Sequence, residues 1–267
     1  MTLADTLDAA TIANGLAARG APMQVRVLES CASTNSALLE RERTEAAALL
    51  IANEQTAGRG RRGRRWHAEP GTALMFSLRW EFEGELARLR GLSLAAGVGI
   101  AKTLRELGAR GVSLKWPNDL LASMGQDGAK LGGILIETRS GEGRVSAVIG
   151  VGLNCRRTPG LGEKLRRKVA ALEESIDPMP ARNELAVRIV AGLAQTLHLF
   201  GHAGFGAFSA DWDSLHAFKG AAMRVRTGDG HVVSGIAEGI APDGGLLLRN
   251  RRGVHHVHSG TVLRSAA

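Results

Sequence analysis

The densest chemistry in this chain lies in twelve consecutive residues, Gln55-Thr56-Ala57-Gly58-Arg59-Gly60-Arg61-Arg62-Gly63-Arg64-Arg65-Trp66. Glycine lets a backbone approach a ligand closely. Arginine gives permanently charged, bidentate contacts to phosphate or carboxylate. Gly58, Gly60 and Gly63 match the GxGxxG spacing of a dinucleotide loop, but that reading needs a helix to open directly afterwards. Here Glu69-Pro70-Gly71 stops any helix, and no Walker A pattern occurs. The segment reads as a flexible cationic clamp. On spacing alone, a solvated basic loop or a nucleic-acid patch fits it equally well.

Four further segments carry chemistry. In Lys115-Trp116-Pro117-Asn118-Asp119 a lysine, an amide and a carboxylate fall within five residues. Asp119 suits Mg²⁺ or an incoming amine, although Pro-Asn-Asp is also a good turn. Lys130 opens the apolar run Leu131–Glu137, and Gly132 and Gly133 follow it. Glycines inside a strand suggest close approach of a ligand. Gly150-Val151-Gly152-Leu153-Asn154 repeats that pattern, and Ser33-Thr34-Asn35 either caps a helix or presents hydroxyls and an amide to a polar ligand. His255, His256 and His258 have no metal spacing with a cysteine or carboxylate partner, so any metal ligands stay unknown. No nucleophile elbow or zincin helix occurs.

The composition narrows the class of molecule. With 267 residues, 44% hydrophobic and 22% charged, the chain is neither disordered nor low-complexity. Its net charge of +8 invites a nucleic-acid reading, but five of those charges are Arg59, Arg61, Arg62, Arg64 and Arg65, without which the excess is +3. A single-strand-binding surface interleaves basic residues with aromatics, whereas aromatics here make up 4% and tyrosine is absent. Cys31 and Cys155 cannot build a disulfide framework, which fits a reducing compartment. Asp5 and Asp8 stand where a signal peptide is basic, and no run approaches the ~18–20 apolar residues of a membrane helix. A soluble, cytoplasmic protein with no nucleic-acid or membrane partner is expected.

The elements that must position these residues follow from periodicity. Helices are expected over 5–18, 34–43, 85–108 and 182–200. Strands are expected around 25–29, 47–53, 74–80, 112–116, 119–123, 131–138 and 144–153, with an irregular stretch over 55–71. Short turns near 125–128 and 140–143 imply antiparallel hairpins and hence a mixed sheet. After about residue 219, short strands separated by GDG, PDGG and RRG form a small all-β unit. The expected division is a helical segment over 1–21, a catalytic α+β domain over 22–218 and a β domain over 219–267.

In this order, the segments resemble the biotin protein ligases (biotin–[acetyl-CoA-carboxylase] ligases). The matching pieces are STN at 33–35, Gln55 with GRGRRGRRW at 58–66, KWPNDL at 115–120, KLGGILIE at 130–137 and GVGLN at 150–154. The resemblance implies a fold similar to class II aminoacyl-tRNA synthetases and lipoate ligases, with an SH3-like C-terminal domain. It implies that biotin contacts Ser33, Thr34, Asn35, Gln55, Arg59, Gly60, Arg61, Lys130 and Gly133. It places Arg61, Arg62, Arg64, Trp66, Lys115, Asn118, Lys130 and Asn154 around ATP or the adenylate. Lys130, Arg61 and Asp119 are the implied catalytic residues, with Lys130 bridging the biotin carboxylate and the α-phosphate. Mg²⁺ enters with ATP, and the acceptor is the biotin carboxyl carrier protein of acetyl-CoA carboxylase. Only about 20 residues precede the matching region, so no DNA-binding repressor domain is expected. Family members are monomers or homodimers. A lipoate ligase is the enzymatic alternative.

Overall fold

The computed structural model describes residues 5–41, 47–123, 128–141 and 143–263. Helix α1 (Ala9–Ala17) opens on Asp8, whose carboxylate accepts from the Thr11 amide. Next come β1 (Gln24–Cys31), α2 (Thr34–Leu39), β2 (Ala48–Gln55) and β3 (Ala73–Glu83). Helix α3 (Leu92–Glu106) leads to β4 (Val112–Lys115), β5 (Asp119–Ala122), β6 (Ala129–Gly141) and β7 (Arg144–Asn154). A short α4 (Leu161–Lys164), the long α5 (Arg182–Ala203) and α6 (Ser209–Leu215) precede the strands β8 (Ala222–Arg226), β9 (Val232–Ile240), β10 (Leu246–Asn250), β11 (Gly253–Val257) and β12 (Thr261–Leu263).

Strands β1 to β7 form one sheet in the order β1-β2-β3-β7-β6-β5-β4. β1 and β2 are parallel, and the other pairs are antiparallel. The sheet is therefore mixed, as the hairpin turns imply. Its two faces are unequal. Ile149, Val151, Phe76 and Leu78 point into the large core shared with α1, α3 and α5. Val148, Ala48 and Leu50 point the other way, onto Leu38 of α2. Helices α3 and α5 cross closely. A Cβ on Gly99 would lie 2.2 Å from Thr196 Oγ1, and one on Gly192 would lie 2.4 Å from Thr103 Oγ1.

Strands β8 to β12 form a separate antiparallel sheet in the order β11-β10-β9-β8-β12, the SH3-like part of the α+β fold. Its inward residues Met223, Val225, Leu246, Leu248 and Val257 join the large core. The turn between β9 and β10 seats on the first sheet: Trp116, 2% exposed, donates its indole N–H to Gly244 O at 3.2 Å.

Several sequence expectations change in detail. The helix expected over 85–108 is a 3₁₀ turn (Leu86–Leu89) followed by α3, and the break falls at Gly91, φ +80. A Cβ there would meet Phe205 at 2.6 Å, so only glycine lets the chain turn against that ring. The helix expected over 34–43 ends at Leu39; residues 42–46 and most of the turn at 125–128 lie outside the described residues. The stretch after the RRG turn, which the sequence reads as one strand over 255–263, is two strands, β11 and β12. Among the described residues no helix is long and apolar enough to cross a membrane, and both cysteines are free thiols.

Candidate active site

The face of the sheet opposite the long helices carries a groove. Side chains alternate along a strand, and on this face β7 reads Val148, Gly150, Gly152 while β6 reads Gly133, Leu135, Glu137. Register aligns Ser77, Gly150 and Leu135 in one row, and Met75, Gly152, Gly133 and Asp119 in the next. The glycines make the floor. A Cβ on Gly150 would strike Asn35 Oδ1 at 2.2 Å, and one on Gly152 would strike the Trp66 ring at 2.5 Å.

One end of the groove is a closed polar network. Ser33 caps α2, so Thr34 and Asn35 enter the helix with side chains over the sheet. Gln55, at the end of β2, accepts at Oε1 from the Thr34 amide (2.8 Å) and hydroxyl (3.2 Å). The fully buried Ser77 donates to Asn35 Oδ1 at 2.5 Å and lies 2.7 Å from the Thr34 hydroxyl. Asn35 donates to Leu135 O (3.2 Å) and Glu137 Oε2 (2.8 Å), and Arg59 reaches the same Glu137 oxygen at 2.8 Å.

The other end is cationic. Lys130 pairs with Asp119 across the β5–β6 ladder, and its side chain is 14% exposed. Burial pushes the Lys130 amine below its ordinary pKa, and Asp119 opposes the fall. Burial likewise lowers Arg61, helped by Arg62 and Arg64 and opposed by Asp119. The His67 imidazole is also pushed down, first by burial and then by Lys164, Arg65 and Arg167. The Trp66 ring stands 6.0 Å from Lys130 Nζ, and its buried Nε1 has no partner.

The segment read as irregular is folded. Arg59 and Arg65 face each other as an antiparallel pair, Gly60 N–H donates to Arg64 O, and Trp66 N–H donates to Gly58 O. Arg61–Gly63 makes a single 3₁₀ turn with Arg62 at φ +57. Arg62 leaves the groove and donates to Thr261 Oγ1 of β12 at 2.6 Å. Arg64 is exposed, and Gly60 lies inside the hairpin.

Two cavities flank the Lys130–Asp119 pair. One is lined by Trp66, His67, Lys130, Asn154, Leu165 and Arg167 among others. The second includes Lys115, Pro117, Asn118, Asp119 and Trp212 in its lining. Asn154 borders the first while its amide donates to Ala170 O (3.0 Å) and Lys130 O (3.3 Å). It thus fixes the strand carrying Lys130 to the segment beside it. Asn118 similarly donates to Ile134 O at 2.7 Å, and Lys115 lies 5.9 Å from the Phe218 ring. Gly133 sits against Lys130, where a Cβ would lie 3.1 Å from Nζ.

Sequence reasoning assigned no role to Ser77, Glu137 or His67. The signal for Ser77 was present, a lone hydroxyl in the apolar run Leu74–Leu78. Buried hydroxyls are bonded to something.

Comparison with known proteins points to one family. The biotin/lipoate A/B protein ligase family matches residues 27–154, and the biotin protein ligase C terminal domain matches residues 220–264. The bifunctional ligase/repressor BirA of Escherichia coli is 37% identical over 84% of this chain and 68% of that protein. The biotin–[acetyl-CoA-carboxylase] ligase of Mycobacterium tuberculosis is 34% identical over 84% of this chain and 83% of its own length. The biotin protein ligase of Aquifex aeolicus, solved in complex with biotin and ATP, superposes with a TM-score of 0.76 at 25% identity, covering 91% of this chain and 99% of that one. Motifs, fold and relatives together make this chain a member of the biotin protein ligase family.

Proposed function

We propose that this protein forms biotinyl-5′-AMP from biotin and ATP, then transfers biotin to a specific lysine of a biotin carboxyl carrier protein. The observation that carries the reading is the Lys130–Asp119 pair, which stands between two cavities at the cationic end of a groove whose other end is a closed polar network.

In the first step a biotin carboxylate oxygen attacks the α-phosphorus. An O–P bond forms, the bond to the β-phosphate oxygen breaks, and pyrophosphate leaves with the electron pair. Negative charge gathers on the α-phosphate, where Lys130 and Arg61 meet it as preorganised cations. Mg²⁺ arrives on ATP as part of the substrate. It would neutralise part of the phosphate charge there, beside carboxylates Asp119 and Glu137 that Lys130, Arg59 and Asn35 engage. In the second step the carrier lysine, as a free amine, attacks the acyl carbon; a C–N bond forms, the C–O bond to the phosphate breaks, AMP leaves with the electron pair and the amine's surplus proton passes to solvent. The amine enters from the cavity lined by Lys115, Pro117 and Asp119, and Asp119 accepts its hydrogen bond. The Arg59–Trp66 hairpin covers the mixed anhydride and excludes water, which would otherwise hydrolyse it.

The same reading takes residues 22–218 as the catalytic unit and 219–267 as its β companion, in a cytoplasmic enzyme. The test is incubation with ATP, Mg²⁺, biotin and a biotin carboxyl carrier domain, read by streptavidin blot. A labelled carrier band that disappears without ATP is expected. No label with biotin, but modification with lipoate, overturns the assignment.

A further inference from the structure

His255, His256 and His258 lack a metal-type spacing in the sequence, yet the fold supplies the missing carboxylate. Asp243, in the turn between β9 and β10, meets the end of β11. His256 Nε2 lies 2.9 Å from Asp243 Oδ1, and His258 Nδ1 lies 3.3 Å from Asp243 Oδ2. One ligand atom from each of the three side chains falls within 4.8 Å of the others. We propose that Asp243, His256 and His258 bind one divalent transition-metal ion of the Zn²⁺ class.

The chemistry fits. Two imidazoles and a carboxylate are ordinary Zn²⁺ ligands, and Zn–N bonds of about 2.0–2.1 Å put tetrahedral neighbours about 3.3 Å apart. Closing the set therefore needs a shift on the order of 1 Å. His256 and His258 are two residues apart at the end of a strand, so both rings fall on one side; their centroids are 4.1 Å apart. The backbone is shaped for this arrangement. A Cβ on Gly245 would lie 2.0 Å from His256 Nε2, so glycine leaves the imidazole its place. The Gly245 N–H also donates to Asp243 Oδ1 at 3.1 Å, orienting the carboxylate. The side chains are 28% (Asp243), 38% (His256) and 62% (His258) exposed, so an ion can enter from solvent. No other such trio of His, Cys, Asp or Glu occurs among the described residues. His231 pairs with Asp229, and His198 meets His202 edge-on on α5.

An ion here would cross-link β11 to the turn whose Gly244 receives the Trp116 indole. That role is a clamp on the small sheet, independent of the ligase chemistry. The test is calorimetric titration of the full chain with ZnCl₂, without biotin or ATP, alongside thermal unfolding with and without the ion. One ion per chain and a raised Tm are expected in the parent and in a His198→Gln/His202→Gln variant, because an ion bound only by the folded state stabilises it. Both signals should vanish in His256→Ala and in His258→Ala, with circular dichroism checking that each is folded. Gly245→Ala should weaken binding by about 10-fold through the displaced imidazole. No binding by the parent, or undiminished binding in either histidine variant, overturns the proposal.

Discussion

The two ends of the groove solve different problems with different materials. Around α2, the groups on Thr34, Asn35, Gln55, Ser77 and Glu137 bond chiefly to one another, and Arg59 is tied in through Glu137. Around Lys130, positive charge from Arg61, Lys115, Arg167 and Lys130 itself gathers about the carboxylate Asp119. The first region is satisfied before any ligand arrives, so it can recognise a small polar molecule by shape and hydrogen bonding. The second carries an electrostatic cost, visible as depressed pKa values on Lys130 and Arg61. An incoming polyanion offsets that cost, so binding energy and charge stabilisation fall at the place where the bond is made.

The contrast breaks at its strongest point if Lys130→Ala still makes adenylate. Loss of this cation should slow adenylate formation ~10²–10³-fold, the scale seen when one preorganised donor is removed. Pyrophosphate release measures it, and a near-parental rate refutes the charge role. Next in size, Arg61→Gly should speed escape of biotinyl-AMP ~10–100-fold, since a hydrogen bond to a charged group contributes ~1.5–3 kcal/mol. An unchanged release rate would remove Arg61 from the clamp. At the neutral end, Ser77→Ala leaves Asn35 without its buried donor and should raise the KM for biotin ~10-fold, with the KM for ATP little changed. A matching rise in both would mean that the two ends are not separable. The smallest effect is ionic: raising salt from about 0.05 to 0.5 M should raise the KM for ATP a few-fold through screening and leave that for biotin nearly flat.

These two ends were unequally legible in the chain. The cationic end is contiguous, so Arg59–Trp66, Lys115–Asp119 and Lys130–Gly133 announce themselves as motifs. The polar end is assembled across the sheet. Ser77 and Glu137 lie far from Asn35 in sequence and meet it only because β3, β7 and β6 are neighbours. The mixed sheet was readable from short turns, yet its strand order was not, since β7 inserts between β3 and β6. The break at Gly91 was hidden because its cause, Phe205, lies more than a hundred residues away. Arg62 shows the limit of motif reading. It shares the arginine run, yet its left-handed backbone turns it toward Thr261 on the other sheet.

Trp66 gives the molecule an optical reporter of its own. Its indole rests on Gly152, faces an ammonium group and carries a buried N–H without a partner. Indole emission responds to nearby charge, water and hydrogen bonding, all of which change when a ligand fills the groove. Trp116, 2% exposed in the core, gives a steady background, whereas Trp212 borders the second cavity and Trp80 is partly exposed. Occupancy of the groove can therefore be followed in real time by the intrinsic fluorescence of the unlabelled protein.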